Sequence, residues 1–134
     1  MKVLLDTHII LWALADDEKL SQKARNIILS KENEIYYSTT SIWEITIKHM
    51  LHPEHMKLSG KQISNYCQEA GYQMLPIKDE HVHTLETLQR EERAPKHNDP
   101  FDRIMLAQAK EERMLFITHD SLIPYYGEEC VVEV

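Results

Sequence analysis

The chain has 134 residues, 43% of them hydrophobic, with 15 Lys and Arg against 22 Asp and Glu for a formal net charge of -7. That length predicts one domain over residues 1–134, able to bury about two-thirds of its unfolded surface without disulfide or zinc staples. Gly 3 and Pro 5 exclude collagenous and low-complexity classes, and no stretch reaches the roughly 18 consecutive apolar residues of a membrane helix.

Met1 to Leu5 meets Asp6 before the apolar segment of about 7 to 15 residues that a secretory signal requires, so a cytoplasmic location and no membrane contact are expected. Cys67 and Cys130 lie far apart with no CxxC and read as reduced thiols. The acidic total argues against wholesale coating of nucleic acid, yet it allows a local basic strip beside a metal-loaded acidic pocket.

Lys2 to Leu5 is a short apolar run suited to a buried strand, after which Asp6-Thr7 opens a helix carrying Ile9, Ile10, Trp12 and Ala13. Ser21 to Ser30 reads as a helix and Glu34 to Ser38 as a strand. A helix is expected over Ser41 to Leu51, ended by Pro53, and another over Lys61 to Ala70, closing at Gly71. Met74 to Ile77 reads as a strand and Asp79 to Leu88 as an amphipathic helix. The clearest helix is Asp99 to Arg113, with Ile104, Leu106 and Ala107 facing the core, and strands over Leu115 to Thr118 and Cys130 to Val134 complete the chain. Strands that alternate with helices and lack period-2 polarity indicate an α/β fold: a three-layer α/β/α sandwich around a central, mainly parallel sheet. Ligands of such sheets sit at the carboxyl ends of strands, where strand order reverses.

Acids at those ends draw attention. Asp6 follows the first strand, Glu44 falls in the first turn expected for its helix, Asp99 and Asp102 open the long helix, and Asp120 follows Ile117-Thr118. Each has an ordinary structural reading: Asp6 and Asp120 as N-caps, Ser41 with Glu44 as a capping box, Asp99-Pro100 as N-cap and N1, and Asp102 as a dipole-favoured acid at N3. Taken together, however, strand-to-helix junctions of a parallel sheet open on one edge, so these carboxylates should meet there. Like charges so placed raise one another's pKa and cost stability unless a cation joins them. All-oxygen donors suit Mg²⁺ or Mn²⁺ rather than zinc. A zinc site at His49, His52 and His55 is disfavoured, because Pro53 breaks the helix that would align them. His8 and His119 flank Asp6 and Asp120 and carry no assignment.

These segments resemble PIN-domain ribonucleases, specifically VapC-type toxins of bacterial toxin-antitoxin pairs. The resemblance rests on Leu4-Leu5-Asp6-Thr7-His8, Ser41-Ile42-Trp43-Glu44-Ile45, His97-Asn98-Asp99-Pro100-Phe101-Asp102-Arg103 continuing to Ala107-Gln108-Ala109, and Ile117-Thr118-His119-Asp120, in order over nearly the whole chain. It implies that Asp6, Glu44, Asp102 and Asp120 form an acidic quartet holding one or two Mg²⁺ or Mn²⁺ ions and catalysing phosphodiester hydrolysis of RNA. Asp102 matches the third acid, since it stands directly before the helical run, and Asp99 becomes the helix cap. Thr7 and Thr118 match the hydroxyl residues beside the first and last acids, and Ser41 the polar residue one turn before Glu44.

The resemblance further implies a cognate antitoxin and a homodimer. Ile9, Leu11, Trp12, Ile63 and Tyr66, at helical spacing, are candidate contact residues, with burial in the core the alternative reading for about half of them. Two stretches depart from the family pattern, His52-Pro53-Glu54-His55 and Arg90 to Lys96. Neither touches an acid; both bear on substrate groove and partner contact. Lys48, Lys57, Lys61, Lys96 and Arg103 are candidates for phosphate contact, each also readable as a plain solvated charge.

Three rival functions differ in what they require. A phosphoacceptor receiver domain needs paired acids after the first strand, a mid-chain acceptor Asp and a late Lys, but here Thr7 follows Asp6 and Pro76-Ile77-Lys78-Asp79 ends the third strand. A haloacid-dehalogenase-type phosphatase needs Asp-x-Asp-x-Thr, which Asp6-Thr7-His8 does not supply. A catalytically weak PIN-fold binding module would not need the intact quartet.

Overall fold

The computed structural model describes residues 1–134. Five strands form one all-parallel sheet: β1 (Lys2–Leu5), β2 (Glu34–Ser38), β3 (Gln73–Leu75), β4 (Leu115–Thr118) and β5 (Val131–Glu133), in the order β3-β2-β1-β4-β5. The chain runs outward from β1 to β3, returns across β1, and continues outward through β4 to β5. The order therefore reverses between β1 and β4, where Val3, Leu4 and Leu5 pair with Leu115, Phe116 and Ile117. The expected α/β sandwich is the fold observed.

Six α-helices lie between the strands: α1 (Thr7–Ala15), α2 (Gln22–Leu29), α3 (Thr39–Leu51), α4 (Gly60–Glu69), α5 (Asp79–Thr84) and α6 (Pro100–Glu112). Because strand side chains alternate, the two sheet faces bury different residues. Val3, Leu5 and Tyr37 meet Ile9, Ile10, Ala24, Ile45, Ile63 and Cys67 from α1 to α4 on one face. Leu4, Leu75 and Phe116 meet Met105, Leu106 and Ala109 of α6 on the other. Ile9 and Ile63 are thus core residues and not the partner contacts expected, whereas Tyr66 is exposed. Cys67 and Cys130 are free thiols.

Several boundaries differ from expectation for local reasons. Helix α3 begins at Thr39 instead of Ser41, because Ser38 is its N-cap and accepts from Thr40 N–H at 2.9 Å. The Ser41–Glu44 capping box therefore does not exist, and Glu44 lies in the second turn. Strand β3 ends at Leu75, before Pro76. Asp79 to Leu88 divides into α5 and a short 3₁₀ turn at Leu85–Thr87. In α6, Ile104 is only half-buried, and the core positions are Met105 to Ala109.

The capping box that does form joins Ser59 and Gln62 at the start of α4. There Gly60 lies so close to α3 that a Cβ would stand 2.0 Å from Thr46 Oγ1. No helix is long and apolar enough to cross a membrane.

Candidate active site

The carboxyl ends of β1 and β4 open beside the starts of α1, α3 and α6. Asp6 leaves β1 as the N-cap of α1 and accepts from Thr7 N–H at 2.7 Å, so its carboxylate is fixed at the sheet edge. Its other oxygen accepts from the Thr118 hydroxyl at 2.7 Å. The same hydroxyl accepts from Asp120 N–H at 3.0 Å, and Asp120 closes its own turn by accepting from Leu122 N–H. Thr118 thereby ties the first and last acids together. On the opposite side, Thr7 donates to Glu44 Oε1 at 2.7 Å and shares a 2.8 Å hydrogen bond with Ser41. Glu44 also faces Lys48 at 3.3 Å.

Asp99 caps α6, accepting from the N–H groups of Phe101 and Asp102, with Pro100 at N1. This leaves Asp102 on the first turn, buried, with its carboxylate against His97. Gln108, buried two turns further on, accepts from Ser38 Oγ at 2.6 Å and donates to the Pro76 carbonyl at 3.2 Å. A single amide thus fixes α6 against the ends of β2 and β3.

Burial, and then the nearby charges of Asp6, Asp99, Asp120 and Glu44, push Asp102 up to about 9 from an ordinary 3.8. Asp6 rises to about 6, chiefly by burial, with Glu44 adding to the rise while hydrogen bonds from Thr118 and Thr7 oppose it. The smaller, coulombic part of each shift comes from acids on separate elements, Glu44 acting on Asp6, and Asp6, Asp99, Asp120 and Glu44 acting on Asp102.

One residue of the site carried no assignment in the sequence. His97 is buried in the loop before α6, with Nε2 3.2 Å from Asp102 Oδ2 and 3.8 Å from Asp120 Oδ2, and Nδ1 2.8 Å from the Tyr126 hydroxyl. Burial holds its pKa below the ordinary imidazole value. Donor atoms of His97, Asp102 and Asp120 lie within 4.8 Å of one another, close enough to share one cation.

A cavity of about 300 Å³ lies over the edge, lined by Asp6, His8, Trp12, His119 and Asp120. Trp12 stacks on His8 at 5.7 Å and meets His119 edge-on at 5.3 Å. His49, His52 and His55 do not converge: His52 and His55 are exposed, and His49 Nδ1 is bonded to the Met56 carbonyl. Lys57, Lys61 and Lys96 are exposed, while Arg103 is half-buried.

The PIN domain model matches residues 3–128, so it spans all four strand-edge acids and His97. The chain belongs to the PIN domain family. Three solved structures share the PIN fold at low identity. VapBC2 from Rickettsia felis, bound to a DNA fragment from its promoter, superposes with a TM-score of 0.67 at 16% identity, covering 100% of this chain and 98% of that one. A toxin-antitoxin complex from Klebsiella pneumoniae gives 0.64 at 20%, covering 98% and 99%. VapBC-1 from nontypeable Haemophilus influenzae gives 0.67 at 14%, covering 99% and 98%. Among curated proteins, no sequence matches the chain. In this PIN domain the edge between β1 and β4 is the place where buried carboxylates gather.

Proposed function

We propose that this PIN domain is a metal-dependent ribonuclease and the toxin of a toxin-antitoxin pair. The observation that carries the reading is the gathering of acids from separate elements at one edge: Thr118 joins Asp6 to Asp120, Thr7 next to Asp6 holds Glu44, and Asp102 and Asp120 offer oxygens within 4.8 Å of each other. Carboxylates so buried are costly unless a cation neutralises them, and their oxygen donors fit Mg²⁺ or Mn²⁺, one ion or two. Asp6, Glu44, Asp102 and Asp120 would hold it. When bound, the ion supplies positive charge at a phosphate and makes nearby water more acidic.

The chain's own contribution is placement. Asp99 sets the direction of α6 and hence of Asp102. Thr118 holds Asp6 and Asp120 in one register, and Thr7 with Ser41 fixes the rotamer of Glu44. The reaction is hydrolysis: a water oxygen bonds to phosphorus, the P–O bond to the leaving ribose oxygen breaks, and that oxygen gains a proton. Lys48, 3.3 Å from Glu44, and Arg103, next to Asp102, supply cationic charge for the strand.

A partner reading rests on a second surface. An apolar groove of about 810 Å³ runs between α1 and the segment around α4, lined by Leu11, Leu14, Met56, Leu58 and Tyr66 among others. Exposed apolar area of this kind marks a protein contact, and one structure that the chain resembles is a toxin-antitoxin complex from Klebsiella pneumoniae. We place the antitoxin in this groove. We also expect a homodimer in solution, which light scattering reads directly.

The deciding experiment is cleavage of RNA by the parent and by Asp6→Asn, with Mg²⁺, with Mn²⁺ and with chelator. The parent should cut only with metal, and the variant should not cut. Equal cleavage by the variant would overturn the assignment.

A further inference from the structure

The loop from Arg90 to Lys96 builds a brace beneath His97. The Arg90 guanidinium donates to the carbonyls of Leu122 and Pro95 and lies over the Tyr126 ring at 4.7 Å. Tyr126 in turn holds His97, by its hydroxyl at 2.8 Å and by an edge-on ring contact at 5.5 Å. The imidazole is therefore fixed on one side by Nδ1, while Nε2 points at Asp102 and Asp120. This arrangement is unnecessary for a plain loop histidine, which would turn to water.

We propose that His97 is itself a metal ligand, its Nε2 joining Oδ2 of Asp102 and of Asp120 in a nitrogen-and-oxygen set that favours Mn²⁺ over Mg²⁺. The inference rests on the metal-site reading above. Its geometry is of the right size: donors about 2.0–2.2 Å from one ion stand roughly 3.0–3.4 Å apart, and Nε2 lies 3.2 and 3.8 Å from the two oxygens. Its outer contact is the right kind, because a ligating imidazole ordinarily donates its other N–H to a fixed acceptor. Here the Tyr126 oxygen, 2.8 Å from Nδ1, can accept from Nδ1–H, and in that tautomer the Nε2 lone pair faces the acids. Imidazole suits first-row transition ions, whereas Mg²⁺ keeps oxygen ligands and water. A nitrogen donor thus separates two ions that carboxylates alone barely distinguish.

Pulsed electron paramagnetic resonance of Mn²⁺ bound to the full chain tests this without reference to cleavage. A directly bound imidazole nitrogen should appear as a ¹⁴N coupling in the parent, in His8→Gln and in His119→Gln, and should vanish in His97→Gln. Titration should show Mn²⁺ binding weakened roughly tenfold or more in His97→Gln, with Mg²⁺ binding changed less than about threefold. Bound Mn²⁺ with no nitrogen coupling, or a coupling that survives His97→Gln, overturns the role of His97 and leaves the carboxylate site standing. Failure of the parent to bind Mn²⁺ at all overturns both. If His97→Gln does not fold, the parent and the two flanking variants decide: nitrogen coupling in all three supports His97, and its absence from the parent refutes it.

Discussion

Replacing Asp102 by Asn should make the metal-free protein more stable, and the gain should grow with pH. Asp102 titrates near 9 in the fold and near 3.8 in the unfolded chain, so between those values the native state holds a proton that the unfolded state has released. With more protons bound in the native state, unfolding free energy falls as pH rises. The contribution is intact below about 3.8 and is lost progressively up to about 9. At about 1.4 kcal/mol per pH unit, the cost accumulated by pH 7 is on the order of 4 kcal/mol. Asn keeps the shape, carries no charge and can still donate to His97, so roughly 2–4 kcal/mol of this should be recovered. For a chain of this size that corresponds to about 6–12 °C in Tm.

Thermal unfolding of parent and Asp102→Asn, in chelator at pH 4, 6 and 8, measures it. The two should nearly coincide at pH 4 and diverge at pH 8. Saturating Mn²⁺ should then close the gap, since a ligand at about 100 times its Kd stabilises only the binder, by about 2.7 kcal/mol. A gap absent at pH 8, or as large at pH 4, would refute the electrostatic argument.

Other expectations follow from the same contacts. Asp99→Asn should retain most cleavage, because Asn caps a helix nearly as well, whereas Asp99→Ala should lose about 1 kcal/mol of stability in denaturant melts. Full loss of cleavage in Asp99→Asn would move the third acid from Asp102 to Asp99. Thr7→Val removes the donor to Glu44 and should cost on the order of 1–2 kcal/mol; calorimetry without metal reads this, and an unchanged melt would show that the hydroxyl contributes nothing. Tyr66→Asp should weaken antitoxin capture by at least tenfold while leaving RNA cleavage by the free protein unchanged. Undiminished capture would place the antitoxin elsewhere.

What the sequence disclosed follows from the range of the interactions involved. Strands β1, β2 and β4 are short apolar runs bounded by acids or small polar residues, and they were legible residue by residue. Asp99-Pro100 announced its helix start because capping is local. The start of α3 misled for the same reason: Ser38, Thr39, Thr40 and Ser41 are all plausible caps, and only the end of β2 selects Ser38. Ser41 and Glu44 point inward, toward Thr7, and do not close a box. His97 was invisible as a functional residue because its meaning lies in Tyr126, 29 positions away, and in Asp120. Gln108 bonds to Ser38 and to the Pro76 carbonyl, contacts that no local pattern encodes.

The braces around the four acids are unequal, and the inequality has a consequence for how the edge works. Asp6 accepts from a backbone N–H and a hydroxyl, Glu44 from a hydroxyl with Lys48 alongside, and Asp120 from a backbone N–H. Each of those donors suits an ionised carboxylate. The Asp102 side chain meets only His97, whose pKa burial lowers, so no cation answers it from within the chain. The cost of ionisation is therefore concentrated on Asp102, whose carboxyl is pushed up to about 9 by burial and by the neighbouring acids. On the proposed function, binding of a divalent ion displaces the carboxyl proton, so affinity should rise with pH between about 6 and about 9 as Asp6 and then Asp102 ionise more readily. The same step converts a strained apo edge into a stabilised one, and it explains why an acidic protein can invest so many carboxylates in one crevice.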